Sequence, residues 1–76
     1  LNVKAPMLEL LKKSSEDRSS IVRRVSAEIL IRELDSLGSV ARTFTERFIS
    51  DKSRPVSERG EFALKKLDEA ERATTS

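Results

Sequence analysis

From Ile21 to Leu37 the chain carries neither glycine nor proline, and Gly38 follows at once. Such a run reads as one helix with its stop attached, because glycine adopts the left-handed backbone that ends helices without a steric cost. A turn of about 100° per residue gathers Ile21, Val22, Val25 and Ile29 in one sector and Ala27, Leu30, Ile31, Leu34 and Leu37 in a roughly opposite one. Only Arg24, Glu28, Arg32 and Asp35 form a cleanly polar strip. A helix that is apolar on two sides either sits at the centre of a bundle or packs on its own domain with one side and on a partner with the other.

The rest of the chain supplies three shorter elements. Pro6 to Ser15 opens with a residue tolerated in the first turn of a helix, places Met7, Leu8 and Leu11 on one face, and ends on Lys12 and Lys13, which suit the negative C-terminal end. The serine-rich stretch Ser14 to Ser20 reads as a turn, with Ser20 as the expected N-cap of the next helix. After Gly38, Ser39 is placed to cap a helix over 40–51, in which Val40, Ala41, Phe44 and Phe48 share a face. Lys52-Ser53-Arg54-Pro55 reads as a loop, and a last helix, beginning at Pro55 or after a Ser57 cap, is expected over 57–72, with Phe62, Ala63, Leu64, Leu67 and Ala70 as its apolar residues. Glu61 with Lys65 and Asp68 with Arg72 are acid-before-base pairs that favour this helix. Gly60 counts against an early start, at about 1 kcal/mol relative to alanine. The expected architecture is all-α, a small bundle of three to four helices (6–15, 21–37, 40–51, 57–72) built around a long central one.

At 76 residues there is room for a single domain, 1–76, with Ala73 to Ser76 expected to fray. A start without Met raises the expectation that it is a piece of a longer protein. Chains this short bury a small share of their surface and usually rely on disulfides, a metal, very regular helix packing or association. Cysteine and histidine are both absent, which closes off disulfides and makes zinc, copper and haem poor fits. Neither a metal nor any other cofactor is expected. The lack of cysteine fits a reducing, intracellular setting. No apolar run approaches the roughly 20 residues that span a bilayer, so no membrane role is expected.

Catalysis finds little to work with. Without His, Cys or Tyr a general base has to be a carboxylate or Lys, and the acids here are scattered among basic residues rather than gathered on an apolar site. Two separated glycines make no phosphate loop. A non-enzymatic role is expected.

Two binding readings remain. Between Arg18 and Arg59 nine basic residues face six acidic ones, and eight of the nine are Arg. Within that stretch, Leu37-Gly38-Ser39 joins two helices much as the turn of a helix-turn-helix motif does, over residues 30–49. On this reading Arg42, Thr43, Glu46 and Arg47 would meet the major groove, and Arg23, Arg24, Lys52 and Arg54 would contact phosphates. Leu34 departs from the motif, since a small residue is usual four positions before the glycine. Arg23-Arg24-Val25-Ser26 also resembles the substrate pattern of basophilic kinases, although a serine inside a helix is a poor substrate for them.

The other reading starts from the doubly apolar helix. The first helix is short and the third offers one narrow stripe, so some of Leu30, Leu34 and Leu37, or else Val22, Val25 and Ile29, are expected to face a partner chain. The leading expectation is a protein–protein interaction or assembly module that self-associates through the 21–37 helix. The DNA-binding module is the alternative.

Overall fold

A computed structural model describes residues 4–75. Five helices follow one another: α1 Lys4–Ser15, α2 Ser20–Arg32, α3 Leu34–Leu37, α4 Val40–Ile49 and α5 Arg54–Thr75. No strand occurs among the described residues. The all-helical bundle expected from the sequence is what forms, with five elements in place of three to four.

The largest difference lies in the central helix. Instead of one helix over 21–37, the chain breaks at Glu33, whose φ of −111° and ψ of 22° leave the helical region. Its N–H donates to both the Ile29 and Leu30 carbonyls, and its own carbonyl accepts from the Ser36 and Leu37 N–H groups, so one helix closes and another opens on a single residue. No local breaker demands this. The bend is a tertiary effect: it turns α3 onto α1 and α4, where Leu37 is fully buried, rather than letting the helix run straight on past them. The longest helix is therefore α5, not the central one.

Smaller shifts have local causes. Ser19, one residue before the expected cap, accepts the Val22 N–H at 3.4 Å, and Asp17 in turn accepts the Ser19 N–H at 2.8 Å. Gly38 takes a φ of +62°, but Ser39 makes no side-chain cap bond. Helix α4 stops at Ile49, and α5 begins at Arg54, with Pro55 in the first turn where its missing N–H costs nothing. The stretch 73–75 continues α5, and Ser76 lies outside the described residues.

Leu11, Ala27, Leu30, Leu37, Ala41, Phe44, Phe48, Val56 and Ala63 form the core, with Met7, Leu8, Ile29, Ile31, Leu34, Val40 and Leu67 packed around it. The buried Thr45 satisfies its hydroxyl by donating to the Ala41 carbonyl at 2.8 Å. Gly60 has a packing role: a Cβ there would lie 2.6 Å from the Ile49 nitrogen and 2.8 Å from the Phe48 carbonyl carbon. The missing side chain is what lets α5 cross the end of α4 backbone to backbone. The body measures 40 × 33 × 15 Å. Helices pack with axes 8–10 Å apart, so a body 15 Å thin leaves little chain to cover both sides of any helix.

Candidate interaction surface

In α2, Arg23, Ser26, Ala27 and Leu30 are the buried residues. They define the inner side, and the opposite side carries Ile21 and Val25. Ile21 is 74% exposed, Val25 51% and Val22 37%. Leu10 of α1 is also 51% exposed. The turn 16–19 folds α1 back along α2, and the Ser14 hydroxyl donates to the Ser26 hydroxyl at 2.8 Å. Leu10 lies one turn before Ser14 on α1, which sets it about level with the α2 turn that follows Ser26.

The six residues expected at a partner interface therefore divide. Val22 and Val25 are open to solvent, while Ile29 and Leu34 are half-buried against the core. Leu30 and Leu37 correct the expectation: both lie wholly inside the chain, where no partner reaches them. Ile21 shares the sector of Val22 and Val25 and could have been included on that ground. Leu10 could not, because it falls off the Met7–Leu8–Leu11 stripe and only the fold brings it beside α2.

Beyond the other flank of α2, Ile31, Leu34, Phe62 and Leu67 line an open groove of about 410 Å³ against α5. Phe62 is exposed there, with the Arg59 guanidinium 5.6 Å and the Lys66 ammonium 5.5 Å from its ring centre.

The arginines expected to meet nucleic acid are engaged within the chain. Arg23 is the clearest correction: it is buried, with Nε 2.8 Å from Asp51 Oδ2, Nη2 3.2 Å from Oδ1, and Nη1 donating to the Asp17 and Arg18 carbonyls at 2.9 Å. Burial raises the Asp51 carboxyl, but hydrogen bonds from Arg23 and the Ser53 N–H, with the charges of Arg23 and Lys52, outweigh it and hold the group below its ordinary value. Arg42 meets Glu71 at 2.6 Å and Asp68 at 3.6 Å, which holds its guanidinium still more firmly protonated. Arg47 reaches Glu16 and the Ser15 hydroxyl, each at 3.3 Å. Arg24 pairs with Glu28 and Arg54 with Glu58 one turn on, both at 3.3 Å. Thr43 is exposed. Ser26, the kinase-pattern serine, is fully buried.

Among the described residues there is no group of three or more Asp or Glu side chains able to hold a metal ion, and no helix long and apolar enough to cross a membrane. The chain matches no protein-family model, and comparison with curated proteins and with solved structures gives no significant match.

Proposed function

We propose that this chain is a non-enzymatic helical assembly module that associates with itself through the outer face of α2. One observation carries the reading: Ile21, Val22 and Val25 stand exposed on successive turns of one helix, with Leu10 beside them. Scattered exposed apolar residues are ordinary, but a contiguous row of large ones marks a surface that gains from being covered. The broad face of the body, 40 by 33 Å, has room for the roughly 800 Å² per partner of a standard interface. A chain of this size also has the most to gain from association.

The non-enzymatic part rests on the residue inventory, which lacks His, Cys and Tyr, and on acids such as Asp51 and Glu71 being held by arginines. A duplex-DNA role for residues 30–49 draws less support, because Arg42 and Arg47 are engaged by carboxylates of their own chain. Sedimentation equilibrium tests the reading: a concentration-dependent dimer in the micromolar range is expected, reduced to monomer by Val25→Asp with helicity unchanged. A species that stays monomeric at several hundred micromolar overturns it.

A further inference from the structure

The apolar row on α2 is flanked differently on its two sides, and the difference fixes how a second copy can lie on it. Relative to Val25, a rotation of about 100° per residue puts Val22 and Ser26 on one side and Ile21, then Glu28 and Arg24 beyond it, on the other. The Ser26 side carries α1, through the Ser14–Ser26 hydrogen bond, and hence Leu10. The other side carries the ion pair of Arg24 and Glu28, both about half exposed.

Two features of this pattern are symmetric about the level of Ser26. Arg24 and Glu28 stand two residues before and two after it. Val22 stands one turn before it, and Leu10, one turn before Ser14 on the antiparallel α1, stands about one turn after. Each pair joins unlike partners that complement one another, a cation with an anion and one exposed aliphatic side chain with another.

A twofold pair of helices has two possible arrangements. If the helices run parallel, the axis lies along them and the flanks exchange, so Arg24 and Glu28 fall on the Leu10 and Val22 of the other copy. That removes the ion pair from water against apolar groups and gives neither charge a partner in the other copy. If the helices run antiparallel, the axis crosses them at right angles within the interface and each flank meets its own equivalent in reverse order.

We infer, building on the self-association proposed above, that the second copy lies antiparallel on α2 with the twofold axis level with Ser26. Arg24 then faces the partner's Glu28, twice by symmetry, while Leu10 packs against the partner's Val22 at both ends of the apolar strip. The Arg24–Glu28 pair within each chain opens into a ring of four charges shared by two.

Charge exchange tests the arrangement. Arg24→Glu sets glutamate against glutamate in a homodimer, and Glu28→Arg sets arginine against arginine, so each variant alone should associate roughly tenfold or more weakly than the wild type. Mixed in equal amounts, the two variants make both cross-chain pairs attractive again, and sedimentation equilibrium should show a heterodimer near wild-type affinity. The double variant Arg24→Glu with Glu28→Arg should likewise recover as a homodimer. Both single variants lose the pair within their own chain, so that loss cannot account for recovery on mixing, and circular dichroism confirms that each is folded. A wild type that dimerises while the mixture stays as weak as its components overturns the antiparallel arrangement and leaves self-association standing. A monomeric wild type overturns both.

Discussion

Arg23 and Asp51, 28 positions apart in sequence, close on one another through two hydrogen bonds of 2.8 and 3.2 Å, with each side chain about nine-tenths buried. The same guanidinium holds the Asp17 and Arg18 carbonyls of the α1–α2 turn, and the same carboxylate accepts the Ser53 N–H ahead of α5. One pair thus ties together the two connections that set where α2 and α5 begin.

Acid should loosen this clamp. The Asp51 carboxyl is held below its ordinary value in the folded chain, so the stability it contributes is present above the unfolded value of about 3.9 and is lost as pH falls through the lower folded one. Thermal unfolding followed from pH 7 down to pH 2 should show Tm dropping at the acid end. Asp51→Asn should start several degrees lower at pH 7 and fall less steeply. Arg23→Lys should also lose several degrees at neutral pH, because an ammonium cannot reproduce the fork that serves both the carboxylate and the two carbonyls.

Gly60→Ala should destabilise, although alanine is the better helix former. The added Cβ meets the backbone at Phe48 and Ile49, which cannot move aside as a flexible side chain would. Overpacking of this kind costs about 1–3 kcal/mol, equivalent to a Tm loss on the order of 10 °C for a domain of this size. An unchanged or raised Tm would show that α5 does not cross α4 at this point.

The sequence revealed the existence and type of the helices because Met7–Leu8–Leu11 and Val40–Ala41–Phe44–Phe48 repeat at helical spacing. It could not reveal the break at Glu33, where Arg32-Glu33-Leu34 contains no breaker and the bend lays α3 on α1 and α4 with Leu37 in the core. Periodicity found both apolar sides of α2 but not which one lay inside, so Leu30 and Leu37 stood beside Val22 and Val25 as equals. Arg23 looked like a surface cation because its partner lies across the fold, and Gly60 looked like a defect because the backbone it admits belongs to another helix.

Core and surface positions of α2 should separate cleanly on substitution. Leu30→Ala removes part of a fully buried side chain and should cost about 2–5 kcal/mol in denaturant unfolding. Ile21→Asp should leave the unfolding midpoint, measured at a concentration where the chain is monomeric, nearly where it was.

Ser26 should resist basophilic kinases in the folded chain. Its hydroxyl is fully buried and bonded to Ser14, while such kinases act on extended, accessible peptide. Mass spectrometry after incubation should find no phosphate at Ser26 in the wild type and gradual modification in the Leu30→Ala variant, which opens more often.

Self-association through the outer face of α2 is tested most directly by sedimentation equilibrium of the wild type beside Val25→Asp. The expected result is a wild-type mass that rises from monomer to dimer across the micromolar range and a Val25→Asp mass that stays monomeric with the same helicity. A wild type that remains monomeric at several hundred micromolar, or a Val25→Asp variant that dimerises as well as the wild type, would contradict it.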